Sequence, residues 1–264
     1  RKETVVFEVD FMIGYFSGTG NSLYAAKKLA ELTGDRALPL ADIMGQPEHL
    51  PHRRFGIVFP VYFGDVPEPV RDFIAKAPLD KGTYFFGIAT CGGTGGRTLR
   101  TLSRLLKKKG CDLAYGLVLP MIANSTVASR RHIHYDMNRL DRADDVLHDC
   151  ADDIRRQVRD ASEVTGSLAA DVMNFGPLRS FGNYWLTPSV DPKKCVSCGI
   201  CTKICPVDNI QSTSSGAVIG PRCSRCLACL HWCPHQAVTI HGKTVLPQDQ
   251  YHHPDVTIRD MMVR

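Results

Sequence analysis

The sequence predicts an α/β protein: a doubly wound, five-stranded parallel sheet over residues 1–165, followed by a small α+β domain organised around cysteine. Two observations carry this prediction. In the first part, short and nearly continuous apolar runs alternate with helical patterns, as expected of strands covered on both faces by helices. Beyond residue 190, eight of the eleven cysteines fall into two copies of one spacing: Cys195, Cys198, Cys201, Cys205 before Pro206, and Cys223, Cys226, Cys229, Cys233 before Pro234.

The first apolar run, residues 12–16, reads as a strand, and Ser17-Gly18-Thr19-Gly20-Asn21-Ser22 leads from it into the helical pattern Leu23, Ala26, Lys27, Ala30, Leu32. A strand, a small hydroxyl-rich loop and a helix N-terminus bind phosphate through backbone N–H groups and the positive end of the helix dipole. The hydroxyls of Ser17, Thr19 and Ser22 add donors without adding charge. Neither a Walker-A lysine nor a G-x-G-x-x-G run occurs there. Further strands are predicted over residues 37–40, 55–59, 84–90 and 113–119, with helices over 68–77 and 97–109. Ligands of such sheets sit at the carboxyl ends of the strands, beside the switch in strand order. Three loops leave those ends, at residues 17–22, 60–66 and 91–97.

A helical pattern over residues 136–164 alternates Arg and Asp, the mark of a solvated surface helix, and is expected to close the first domain. Residues 166–190 form a Gly- and Pro-rich linker carrying Phe175, Phe181, Tyr184 and Trp185. Aromatic linkers pack, so a fixed relation between the two domains is expected. The cysteine domain spans 191–241, and residues 242–264 are a tail expected to pack back on the body. Residues 1–11 read as an extension ahead of the first strand.

The spacing C-x2-C-x2-C-x3-C-P holds iron–sulfur clusters, with the fourth cysteine of each copy serving the cluster of the other. One [4Fe-4S] cluster then takes Cys195, Cys198, Cys201 and Cys233, and the second takes Cys223, Cys226, Cys229 and Cys205. Structural zinc groups its ligands as separated pairs, often with histidine. A disulfide framework needs an oxidising compartment, and the first residues lack the pattern of a secretory signal. The formal charge of +5 counts these thiols as neutral. Two oxidised clusters of about −2 each bring it to roughly +1, which removes any charge argument for nucleic acid. No run approaches the roughly 18 apolar residues of a membrane span, and a cytoplasmic location is expected. The cysteine domain is small enough that its clusters, rather than an apolar core, are expected to hold it together.

The segment YFSGTGNS resembles the phosphate loop of flavodoxins, PVYFGDVPEPV their second flavin loop, and TCGGTGG their third. Joined to the paired cysteine runs, the chain resembles the flavodoxin/ferredoxin fusion proteins of anaerobic bacteria and archaea over nearly its whole length, including the YHHP tail at Tyr251. The resemblance implies FMN as a cofactor beside the two clusters. It implies that Ser17, Gly18, Thr19, Gly20, Asn21 and Ser22 hold the phosphate, that Pro60, Val61, Tyr62 and Phe63 line one ring face, and that Thr90, Cys91, Gly92, Gly93, Gly95 and Gly96 pass along its edge. Unlike ordinary flavodoxins, the third loop has no Trp or Tyr, which leaves one ring face open. Cys91 reads either as a thiol facing the ring or as a small loop residue. Cys111 and Cys150 read as small apolar residues, and His231 and Trp232 as packing groups.

FMN exchanges two electrons and a cubane one, so their fusion couples one- and two-electron chemistry. The expected function is electron relay between a low-potential donor, ferredoxin or similar, and a partner oxidoreductase. The alternative is an FMN-dependent reductase of a small quinone, nitro compound or activated alkene. Its pocket would use Cys91 and the polar run Asn124, Ser125, Thr126, Arg130, Arg131, His132, His134 and Tyr135, a run that reads equally as a solvent loop.

Overall fold

The computed structural model describes residues 10–45, 50, 53–128 and 133–262. Arg130, Arg131 and His132, and the extension ahead of Asp10, lie outside the described residues. The strands β1 (Phe11–Tyr15), β2 (Arg36–Pro39), β3 (Arg54–Pro60), β4 (Tyr84–Cys91) and β5 (Leu113–Pro120) pair in parallel, in the order β2-β1-β3-β4-β5. This is the flavodoxin-like order, with its switch point between β1 and β3. Every residue of β4, and every residue of β3 except Pro60, is buried. Burial on both faces is why these strands read as unbroken apolar runs.

Helices α1 (Asn21–Thr33) and α5 (Asn138–Arg155) cover one face, packing Ala25, Leu29, Leu140 and Leu147 on Ile13, Val58 and Ile88. Helices α2 (Leu40–Gly45), α3 (Glu68–Lys76) and α4 (Thr98–Lys108) cover the other, with Ile43, Phe73 and Leu102 against Phe55, Phe59 and Phe85. The sequence pattern had not marked α2, which is a single short turn-and-a-half after β2.

The closing helix is shorter than its charge pattern suggests. It ends at Arg155, and Gln157 takes a left-handed φ of 55°. The chain then runs beside the edge strand β5: Gly116 N–H donates to Asp160 O at 3.0 Å, and Val118 N–H donates to the Glu163 carboxylate. These contacts occupy backbone groups that an open edge would expose.

The linker also departs from expectation. It folds into α6 (Leu168–Met173) and α7 (Gly176–Trp185), but Phe175, Phe181 and Tyr184 remain at least 60% exposed. Its anchors are mostly polar or small. Asn174 Nδ2 donates to Phe63 O at 2.8 Å, Arg225 Nε donates to Asn183 O at 3.0 Å, and Gly182 lies against the Phe63 ring. Of the aromatics, Trp185 makes an edge contact with His241 at 4.5 Å.

The C-terminal region holds an antiparallel sheet of β6 (Pro188–Val190), β9 (Val238–Ile240) and β10 (Lys243–Thr244), and a hairpin of β7 (Ile210–Thr213) and β8 (Gly216–Ile219). Two short helices, α8 (Ile200–Lys203) and α9 (Ala228–His231), follow the cysteine loops. This region has a small core of Leu227, Leu230, Val238 and Ile240. In addition, Ile204, Ala228 and Trp232 join the core that contains Phe16 and Leu23 of the first domain. Apolar packing therefore does more here than the size of the region suggested. The tail ends in α10 (Ile258–Met261), which starts with a Thr257–Asp260 capping box and whose Asp260 pairs with Lys27 at 2.5 Å. Among the described residues, no helix is long and apolar enough to cross a membrane.

At the sheet centre, a Cβ placed on Gly56 would lie 2.1 Å from the Phe86 ring. Gly56→Ala is expected to lower stability by about 1–3 kcal/mol through overpacking, read as a lower denaturation midpoint with an unchanged denaturant slope.

Candidate functional site

The three loops predicted from the sequence converge at the carboxyl end of the sheet. Ser17, Gly18, Thr19, Asn21 and Ser22 of the first, Pro60, Val61 and Tyr62 of the second, and Thr90, Cys91 and Gly92 of the third line one cleft. A fourth wall, residues Ile122, Ala123, Asn124 and Ser125, comes from the loop after β5. Asn124 and Ser125 stood in the sequence only as part of a polar run, while Ile122 and Ala123 carried no signal at all.

The first loop turns into α1 through Gly20, whose φ of 99° requires glycine. No acidic residue occupies the first turn of α1, so its opening N–H groups and dipole are not offset by a carboxylate. Ser17 Oγ accepts from Gly20 N–H at 3.2 Å, and the Ser22 and Thr90 hydroxyls are 2.8 Å apart, tying the first loop to β4. Asn21 is a framework residue more than a ligand. Its Nδ2 donates to Ile122 O at 2.9 Å and its Oδ1 accepts from the Tyr251 hydroxyl.

Other predicted contacts turn away from the cleft. Phe63, at φ 54°, lies beneath the Arg179 guanidinium at 4.5 Å. Gly95 packs on Val118, and a Cβ on Gly96 would stand 2.5 Å from Gly64 O, so these glycines permit close approach of loops rather than of a ligand. Gly93 faces open space. Cys91 lines the cleft, buried, and burial pushes its thiol pKa up. It is therefore a neutral thiol and a weak nucleophile at ordinary pH. Cys111 is likewise buried, and burial drives the Cys150 thiol up to about 12.

The hydroxyl and N–H donors of the cleft, free of carboxylates, fit the phosphate of FMN. The enclosed volume, about 70 Å³, suits a phosphate-sized group and does not by itself enclose a flavin ring.

The cysteines gather crosswise, as the spacing predicts. Cys195, Cys198, Cys201 and Cys233 line one pocket, and Cys205, Cys223, Cys226 and Cys229 line another. The two runs share a backbone course: Ser197 and Arg225, Gly199 and Leu227, and Asp208 and Gln236 occupy matching positions, all with positive φ. These turns aim N–H groups at sulfur, from Asn209 to Cys205 at 3.3 Å and from Ala237 to Cys233 at 3.4 Å. Among the described residues, no three His, Cys, Asp or Glu side chains converge as they would on a single metal ion. Burial pushes the Cys201 thiol up to about 11 and Cys226 to about 12, and Cys229 is raised well above its ordinary value. Thiolates in such surroundings need cationic metal to be stable, so four sulfurs around each pocket, with N–H donors behind them, fit an iron–sulfur cluster.

The cleft and the second cysteine pocket share a wall. Asn124 Nδ2 lies 3.5 Å from Thr19 Oγ1 and donates to Cys226 O at 3.2 Å, and a Cβ on Gly18 would stand 2.5 Å from Cys226 O. Trp232 Nε1–H donates to Gly18 O at 3.3 Å, and His253 N–H donates to Thr19 O at 2.9 Å. His231 accepts at Nδ1 from Tyr251 N–H, 2.9 Å away, so its Nε2–H donates to Asn124 O at 3.0 Å. Burial lowers its pKa to about 4 and keeps it neutral.

Residues 188–211, which include the first cysteine run, match the family model of the 4Fe-4S binding domain. No curated protein matches the chain. Among solved structures, the chain is similar to a flavoprotein of Bacteroides eggerthii, with 19% identity over 55% of this chain and 97% of that one and a TM-score of 0.37. It is also similar to a flavodoxin from the domain Archaea, at 13% identity over 55% and 97% with a TM-score of 0.37. A third likeness is to an FMN-dependent NADH-azoreductase of Bacillus anthracis, at 11% identity over 55% and 99% with a TM-score of 0.38. The fold assignment rests on strand order: the chain is a flavodoxin-like α/β protein. To that fold it joins a 4Fe-4S binding domain.

His253 is stacked on Tyr24 at 3.9 Å, and burial lowers its pKa from 6.5 to about 4 against the opposing pull of Asp255 and Asp144. The folded state thus favours the neutral ring. The stabilisation is full above pH 6.5 and is lost as pH falls toward about 4. The stability difference between wild type and His253→Phe should therefore be largest near neutral pH and shrink on acidification. Denaturant titrations of both proteins over that range check this.

Proposed function

We propose that the protein is a flavo-iron–sulfur electron-transfer protein relaying low-potential electrons between FMN and two [4Fe-4S] clusters. In this reading residues 1–165 form the FMN domain, 166–190 the linker, 191–241 the cluster domain and 242–264 the tail. Cys195, Cys198, Cys201 and Cys233 ligate one cluster, and Cys223, Cys226, Cys229 and Cys205 the other. The first loop and the opening of α1 hold the FMN phosphate, with Pro60, Val61 and Tyr62 and residues Thr90, Cys91 and Gly92 beside the ring. FMN supplies the exchange between two-electron and one-electron steps.

The observation that carries this reading is the shared wall, where Asn124 touches both the phosphate-type loop and the backbone of Cys226. A phosphate cleft and a cysteine pocket serving unrelated purposes would have no need of it. Beside them the hydroxyl of Tyr62 is buried, and its pKa is raised well above the ordinary value, first by desolvation and then by Cys226 and Cys223. It stays protonated and uncharged at any pH of interest. The donor is a low-potential carrier of ferredoxin type and the acceptor a partner oxidoreductase, in a cytoplasmic and anaerobic setting.

Anaerobic purification with iron, sulfide and flavin quantified per chain tests the proposal. About eight irons and one FMN are expected, with cluster EPR signals on dithionite reduction. About two zinc ions without flavin would sink it. In Cys229→Ser, roughly half the iron should be lost, with the EPR signal of one cluster retained.

A further inference from the structure

A second cavity, of about 370 Å³, opens on the far side of Tyr62 and Phe63 from the cleft. Its walls carry four guanidinium groups, Arg71, Arg97, Arg179 and Arg225, against two carboxylates, Asp65 and Glu68. Asp65 is already engaged. It is buried, pairs with Arg71 and Arg97 at 2.7 Å each, and accepts from Val66 N–H at 2.8 Å.

Arg179 and Arg225 are held differently. Arg179 donates to Asn174 Oδ1 at 2.9 Å and lies over the Phe63 ring. Arg225 donates to Asn183 O and to Cys223 O, both at 3.0 Å. Neutral oxygens and a ring fix these forks in place without matching their charge, and several of the five donors on each guanidinium remain available. Burial lowers the Arg179 pKa, and the neighbouring Arg71 and Arg225 lower it further, against the pull of Asp65 and Glu68.

We propose that this cavity binds a small oxyanion, the carboxylate or phosphate group of a ligand, between Arg179 on α7 and Arg225 in the second cysteine run. Fixed guanidinium forks match such groups in bidentate geometry, and the concave walls of Tyr62, Phe63, Asn174 and Asn183 limit its size. The cavity touches both the second loop and the second cysteine run. A role for the bound anion as electron donor or acceptor rests on the relay proposed above; its binding does not.

The test is calorimetric titration of the full-length protein, with iron and flavin quantified in the same preparation, using fumarate and citrate as carboxylate probes and inorganic phosphate as the third. At least one should bind saturably, and the comparison among them tells carboxylate from phosphate. Arg179→Gln should weaken binding about tenfold or more, and Arg179→Lys should restore part of it. Arg225→Gln gives a second reading, accepted where its iron content equals that of wild type. No saturable binding by any probe, or binding unchanged in both glutamine variants, would overturn the proposal. Absence of binding in protein with full iron and flavin counts against the cavity alone. Saturable, arginine-dependent binding in protein lacking flavin or iron supports the cavity and removes the relay.

Discussion

The orientation of two peptide groups in the first loop governs the site. A trans peptide is planar, so fixing its carbonyl also fixes its N–H on the opposite side. Trp232 Nε1–H holds Gly18 O, and His253 N–H holds Thr19 O. Both donors come from the C-terminal part of the chain, more than 210 residues away in sequence. The Thr19 N–H is thereby turned away from Trp232, and the Gly20 N–H toward Ser17 Oγ. The loop that looks like a local strand-to-helix turn is thus set by the cysteine region and the tail. Glycine is needed at position 18 because Cys226 O occupies the space a side chain would take.

Two kinds of force divide the work of placing the loops. The sheet is positioned by apolar burial, which is strong but tolerant of small displacements. The second and third loops are positioned by a buried carboxylate. Asp65, 1% exposed, is satisfied by Arg71, Arg97 and Val66 N–H, and Arg97 continues to Asp171 of α6, which also pairs with Arg100. A buried carboxylate left short of partners is costly, so this network admits few alternative geometries. It joins the second loop, the start of α4 and the linker helices, which explains how a linker with outward-facing aromatic rings is nonetheless fixed.

The sheet was legible in the sequence because burial on both faces writes itself as continuous apolar runs; all five strands lie within one or two residues of their expected positions. The crosswise gathering of cysteines was legible because a recurring spacing imposes a recurring backbone, down to paired left-handed residues such as Ser197 and Arg225. What could not be read were features decided at long range. Charge alternation over 136–164 records solvent exposure, and exposure continues past Arg155 where the helix does not, since residues 156–165 follow the edge of β5 instead. Asn124 is an unremarkable loop residue until Cys226, 102 positions away, is brought against it. The aromatic linker misled for a related reason: rings imply packing only when a surface is offered, and α7 meets the face of Phe63, the Tyr62 carbonyl and, through Tyr184 and Trp185, the single ring of His241.

The same long-range contacts bear on how the cysteine region is stabilised. Metal binding and folding are expected to be coupled wherever buried thiols lack an alternative core. Here the coupling is uneven. The second run places Ala228 and Trp232 in the apolar core shared with Phe16 and Leu23, and its Cys226 and Cys229 are buried. The first run buries Ile204 in the same core but leaves Cys198 exposed and Cys195, Cys201 and Cys205 only half-buried. Apolar contacts keep much of the second run in place independently of any metal, while the first depends more heavily on its ligands being bridged. The half of the cysteine region beside the phosphate-type loop is therefore the half whose geometry the rest of the fold already enforces, which keeps the shared wall at Asn124 defined by packing and hydrogen bonds.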